Sequence, residues 1–169
     1  MPTLVQHDAC ELLDADHIAT KHLFVEYARL AFAGAATGAG APGKGRSRPA
    51  DQRPALARKI CRELTVHAQI EEEIFYPALR DVVDVPELLD EAQAEHQQAR
   101  ELIAQIEGLS EADAAMDDLV SELARAVENH VKEERDLLFP KARAAEELDL
   151  DELGARMKER QQELEAQAA

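Results

Sequence analysis

One phrase occurs twice in this sequence and constrains its fold more than anything else. His67-Ala-Gln-Ile-Glu71-Glu-Glu-Ile-Phe-Tyr-Pro77 returns as His130-Val-Lys-Glu-Glu134-Arg-Asp-Leu-Leu-Phe-Pro140. Each copy holds a histidine, a glutamate four residues on, an apolar pair ending in an aromatic ring, and a proline. Four residues turn a helix by about 400° and advance it about 6 Å, so histidine and glutamate stand one above the other on a single face. Their neighbours on that stripe are mostly apolar: Ile60, Leu64, Ile70 and Ile74 in the first copy, and Leu123, Val127, Val131, Leu137 and Leu138 in the second. The pairs therefore point at or beside a core. A carboxylate buried there alone costs several kcal/mol, and a metal ion that takes both groups as ligands relieves that cost.

The 169 residues suffice for one domain with a real core. Helix-forming residues dominate, aromatics are 4% and tryptophan is absent, which predicts an all-α chain. A net charge of −16 and a pI near 4.7 repel phosphate backbones and anionic lipid head groups, so neither nucleic acid nor membrane is expected as a partner. The start, Met-Pro-Thr-Leu-Val-Gln-His, shows no basic residues followed by an apolar run, and no stretch approaches a membrane span. A cytoplasmic location is the expectation. Cys10 and Cys61 are far apart in helical segments and read as buried thiols.

The apolar spacing predicts helices over about Ala9 to Phe32, carrying Leu12, Leu13, Ile18, Leu23, Phe24, Tyr27 and Leu30, and over Ala55 to about Tyr76. Pro77 breaks or kinks the second, with a short turn on to Val83. Between them, residues 34–54 form a Gly- and Pro-rich connection with four cations, Lys44, Arg46, Arg48 and Arg53. Asp84-Val-Pro-Glu87 reads as the start of a third helix that stops at Gly108. Ser110-Glu-Ala-Asp opens a fourth, which runs through His130 and Glu134 to a terminator at Pro140. A last helix from Leu150 to Leu164 has only Leu153, Met157 and Leu164 as its sparse apolar face. The expected architecture is an up-down antiparallel four-helix bundle over 1–145, with a helical extension over 146–169.

Helices one and three each contribute one more candidate, in the acid-histidine dipeptides Asp16-His17 and Glu95-His96. The halves of the chain thus look like repeats, and His17, His67, Glu71, His96, His130 and Glu134 together offer four imidazoles and two carboxylates. Such a mixed N/O set suits iron, manganese or zinc. At these residues the sequence resembles the hemerythrin-like family, also called the HHE cation-binding domain, over roughly Cys10 to Arg143. The resemblance implies a bundle around a non-haem centre of two irons, oxo- or hydroxo-bridged, with Glu71 and Glu134 bridging and the histidines capping. Oxygen-carrying members place a histidine where this chain has Arg100, and an aspartate five residues after the last histidine where this chain has Glu134 at four. The ligand set instead looks like that of non-carrier members, including the bacterial iron-centre repair proteins.

The function expected from the resemblance is reaction with, or binding of, a small ligand (dioxygen, nitric oxide or peroxide) in the response to oxidative or nitrosative stress, with an unknown electron donor. The alternative is a non-catalytic iron or oxygen sensor acting through a protein partner. Arg100, one turn beyond His96, is expected to reach a bridging glutamate or the place of the missing histidine, and to act from outside the ligand set. Glu63, four residues before His67, is a further candidate ligand or supporting group. His7 and His22 fit no part of the pattern. Tyr27 and Tyr76 are expected to lie away from the ligands, with hydroxyls near the surface.

Overall fold

The computed structural model describes residues 7–36 and 51–168, and within them the chain is helical with no strand. Helix α1 spans Ala9–Ala36 and opens with a capping box. Asp8 Oδ1 accepts from the Glu11 amide at 2.8 Å, and Glu11 Oε1 faces the Asp8 amide at 3.5 Å. Helix α2 spans Arg53–Ile70 and passes through a single π-turn, Glu71–Phe75, into α3, Tyr76–Val82. Helix α4 spans Pro86–Glu107, and α5 spans Ala114–Glu133. A second π-turn, Glu134–Leu138, leads into α6, Phe139–Ala144, and α7 covers Leu150–Ala168.

Around the bundle, α1 packs on α2 and α5, and α4 on α2 and α5, which closes a ring of four. This is the predicted four-helix bundle. Its apolar residues fall into two separate clusters. One gathers Leu13, Ile70, Phe75, Leu89 and Leu138, and the other gathers Tyr27, Ile60, Leu64, Ile103 and Leu123. Along every helix of the ring the histidine sits between members of the two clusters, so the buried polar groups form a layer across the middle of the bundle.

Several local expectations change. Pro140 does not end its helix, and beyond Pro77 the expected short continuation is a further helical stretch to Val82. In each case the π-turn upstream bonds residue i+5 to residue i, with the Tyr76 amide on Glu71 O and the Phe139 amide on Glu134 O, and the proline then falls in the first turn of a new α segment, where its missing N–H leaves no gap. The cap of α4 is Val85 rather than Asp84, because Pro86 takes the first helical position and presses the residue before it out of the helical region. In α5 the cap is Asp113, the last of the four residues from Ser110, whose Oδ1 accepts from the Met116 amide at 3.2 Å.

The first helix runs one turn further than predicted, to Ala36, and the second begins at Arg53, two residues early. Arg53 is therefore no loop cation. Its guanidinium grips both oxygens of Asp117 (2.8 and 3.0 Å), Asp51 and the Ala112 carbonyl. Lys44, Arg46 and Arg48 lie outside the described residues. Ile18 and Leu137, assigned by spacing to the inner faces, are exposed; for Leu137 the π-turn shifts the side chain off the α-helical stripe. The sparse face of α7 does pack: Leu153, Met157 and Leu164 are all buried, against α1 and α2.

Candidate metal centre

Four helices each turn one imidazole into the polar layer, and both His-x3-Glu phrases deliver their carboxylates to the same place. Glu71 and Glu134 are wholly buried, and His17, His67, His96 and His130 nearly so. The ligand atoms fall into two groups, His17, His67 and Glu134 in one and Glu71, His96 and His130 in the other, each with its atoms within 4.8 Å of one another. The groups are not independent. Glu71 Oε1 lies 2.9 Å from His67 Nε2 and 3.3 Å from His96 Nε2. Glu134 Oε1 lies 2.6 Å from His130 Nε2 and 3.7 Å from His17 Nε2. Each carboxylate thus reaches histidines of both groups. All six residues singled out from the sequence come together.

Most of these atoms lie within ion-pair reach yet do not meet hydrogen-bond geometry. Both oxygens of Glu71 and of Glu134, both nitrogens of His17 and Nε2 of His67 have no hydrogen-bond partner. His96 Nε2 and His130 Nε2 face each other at 3.1 Å. Lone pairs aimed at a common point, rather than donors aimed at acceptors, are what a cation requires, and unsatisfied buried carboxylates are otherwise costly. The residues present fit a bound metal. Burial opposes a charge on His67, but the neighbouring Glu71 carboxylate and the contact with Asp16 outweigh it and lift the imidazole to about 10. Burial likewise opposes ionisation of Glu71, and the charge of His67 overcomes it, keeping the carboxyl well below its ordinary range.

Behind the ligands stands a ring of acids, one near each outer ring nitrogen. Asp16 Oδ2 lies 3.2 Å from His67 Nδ1, Glu95 Oε2 3.4 Å from His130 Nδ1, Glu72 Oε2 3.6 Å from His96 Nδ1, and Asp14 Oδ1 3.7 Å from His17 Nδ1. Such carboxylates fix the tautomer and orientation of a ligating imidazole and raise its basicity. Asp16 and Glu95 serve the histidine of the neighbouring helix, not the one beside them in sequence. Arg100 reaches neither Glu71 nor Glu134. Its guanidinium takes Glu72 in a two-pronged pair, at 3.0 Å from Nη1 and closer from Nη2. Against burial, the nearby His96 ring and the paired Arg100 guanidinium bring the Glu72 carboxyl down to about 2.

Tyr76 is the larger surprise. Rather than standing near the surface, its side chain is fully buried, with the hydroxyl 3.4 Å from His96 Nε2 and 3.3 Å from His130 Nε2. In an α-helix residue i+5 lies about 140° away from residue i. The π-turn closes that angle, so Tyr76 comes over Glu71 and Phe139 over Glu134. Phe139 stacks on His17 with ring centroids 6.0 Å apart. One group of ligands therefore faces a phenol and the other a plain ring. Burial and the Glu71 and Glu134 charges push the Tyr76 phenol well above its ordinary value, so it keeps its proton. A glutamate followed five positions on by an aromatic residue and then by proline was the sequence signal for this placement.

Tyr27 lies away from the polar layer as expected, but it is buried in the second apolar cluster rather than near the surface, its hydroxyl donating to Asp117 at 2.8 Å. His7 and His22 are exposed. Glu63 belongs to neither group of convergent atoms and lines a cleft beside Asp16 instead. An apolar cavity of about 40 Å³ adjoins the site, walled by Leu64, Ala99, Ile103 and Val127, with Arg100 at its side.

Fold and site together define a helical-bundle protein with a buried cation-binding layer of imidazole and carboxylate. The chain belongs to the hemerythrin HHE cation binding domain family, which it matches over residues 8–142 and again over 93–168. It is similar to the crystal structure of a hemerythrin HHE cation-binding domain-containing protein from Mycobacterium kansasii. The TM-score is 0.70 at 24% identity, covering 96% of this chain and 90% of that one. It is also 36% identical over 84 residues to a protein of Nostoc sp. named DNA nickase. That match takes in 48% of this chain, which spans only 23% of the Nostoc protein's length. Among the described residues no helix is long and apolar enough to cross a membrane.

Proposed function

We propose that this protein is a non-haem di-iron protein of the cytoplasm that reacts with a small ligand, namely dioxygen, nitric oxide or peroxide, using electrons from a separate donor. The reading rests on the position of Glu71 and Glu134, each of which reaches histidines of both ligand groups, as a carboxylate shared by two ions must. His17 and His67 would hold one ion, and His96 and His130 the other. Two irons held there would supply redox and Lewis-acid chemistry towards a small ligand.

What the chain itself contributes supports that chemistry. The cavity of about 40 Å³ has room for a molecule of two or three heavy atoms and little more. Tyr76 holds a proton within reach of His96 and His130 and can lend it to a ligand seated there. Phe139 gives the His17 side no such donor. Arg100, neutralised by Glu72, acts on His96 through that carboxylate. A nucleic-acid substrate of the kind named for the Nostoc relative is disfavoured by the net charge of −16.

Elemental analysis of protein prepared with ample iron, together with stopped-flow spectra of the reduced form, tests the proposal. The expected results are about two irons per chain and rapid oxidation with turnover of peroxide or nitric oxide. Protein without transition metal, or a stable oxygen complex that leaves under vacuum, overturns it.

A further inference from the structure

The two halves of the site differ in how their supporting acids are held. Glu95 and Asp16 have matching roles, each beside the outer nitrogen of a histidine on the next helix. Glu95 Oε1 is buried with no hydrogen-bond partner, and its carboxylate has other acids for neighbours, the carboxylate oxygens of Glu91, Glu95 and Glu133 lying within 4.8 Å of one another. Asp16 is clamped. Nε2 of Gln161, on α7, donates to Oδ1 at 3.2 Å and to Oδ2 at 3.3 Å.

The clamp has something to work against. Asp16 borders a cleft of about 580 Å³ between α1, α2 and α7, and that cleft also holds Lys59 and Arg62. An unheld Asp16 side chain has both the room and the charge partners to swing outwards, away from His67. Gln161 itself is placed by contacts that do not involve Asp16. Leu153, Met157 and Leu164 bury α7 against α1 and α2. Gly154 lies so near the start of α1 that a Cβ there would stand 2.7 Å from the His7 carbonyl oxygen. Arg160 pairs with Glu73 at 2.8 Å.

We propose that Gln161 is a positioning residue for the group His17, His67 and Glu134: by clamping Asp16 it fixes the ring of His67, so the C-terminal helix tunes one of the two ion positions and leaves the other alone. The proposal rests on the metal-centre reading and adds to it a role for a helix that contributes no ligand. An outer partner of a ligating histidine commonly changes metal affinity by about ten- to a hundredfold. With Gln161 one bond further out, the lower end is the expected size.

The test is anaerobic titration of metal-free protein with ferrous iron, reading stoichiometry and the affinity of each step. Gln161→Glu keeps the shape but sets an acceptor against Asp16. It is expected to weaken one of two binding steps about tenfold and leave the other within error, while Gln161→Lys, which restores a donor, recovers most of the loss. Gln161→Leu provides the same deletion without added charge. Arg160→Ala loosens α7 without touching the clamp and is expected to lower the melting temperature of the metal-free protein without the selective loss. Two unchanged steps in both Gln161→Glu and Gln161→Leu overturn the proposal, as does the same selective loss in Arg160→Ala. No iron bound by the wild type overturns the metal-centre reading beneath it.

Discussion

Asp16 precedes His17 in sequence, yet its carboxylate stands 3.2 Å from Nδ1 of His67 on the neighbouring helix. Glu95 repeats the arrangement, next to His96 in the chain but 3.4 Å from Nδ1 of His130. Each acid-histidine dipeptide thus divides its labour. The histidine enters the centre on its own helix, and the acid supports the histidine of the next. The support crosses between helices, so orienting the ligands and holding the bundle together are one task.

Removing a shared carboxylate should therefore disable both ion positions. Glu71→Ala or Glu134→Ala is expected to lower bound iron from about two per chain to well below one. The gap in melting temperature between metal-loaded and metal-free protein should shrink with it, since a ligand at a hundred times its dissociation constant stabilises by about 2.7 kcal/mol. Elemental analysis and paired melting curves check both, and a variant that retains full iron speaks against sharing.

Tyr76 separates chemistry from metal binding. Tyr76→Phe should leave iron content unchanged and cost about 1 kcal/mol of stability through the lost hydroxyl contacts. The reaction of the reduced protein with peroxide should slow by about a hundredfold, a usual size for one proton donor. Stopped-flow rates across pH, set beside elemental analysis, decide between this and a packing role.

Arg100 acts at one remove. Replacing it by leucine leaves Glu72 facing His96 without its cation, and is expected to weaken iron binding by about tenfold with little change in the metal-free melting temperature. Arg100→His goes further, putting an imidazole where carriers have one. That variant should react more slowly and hold an oxygen adduct longer, measured by the same stopped-flow spectra.

Cys10 and Cys61 are fully buried, and burial pushes both thiols up from 9.0 to about 12. A group whose folded value is raised lends its stability in full below the unfolded value and loses it as pH climbs through the folded one. The thiol contribution should thus be intact below pH 9 and fade towards pH 12. At pH 8 neither cysteine should react with a thiol reagent until the protein is unfolded, when both should react at once. Labelling of the native protein at an unfolded-like rate would contradict the buried placement.

The sequence alone picked out the six candidate residues and the helical bundle around them. His and Glu four apart on an apolar stripe can only be neighbours on one helix face, and this local geometry holds whatever the rest of the chain does. The same periodicity marked the four long helices of the bundle, and the resemblance carried by those residues gave its topology. Tertiary structure decided what the spacing could not express. Asp16 and Glu95 find their histidines across a helix interface, Glu72 stands between Arg100 and His96, and Gln161 arrives from 145 positions away. Such contacts depend on the rotation and height of packed helices, which a period of 3.6 leaves free. Tyr76 escaped for a related reason: one extra residue in the π-turn turns it onto the metal-facing side, and α-helical arithmetic places it off that side.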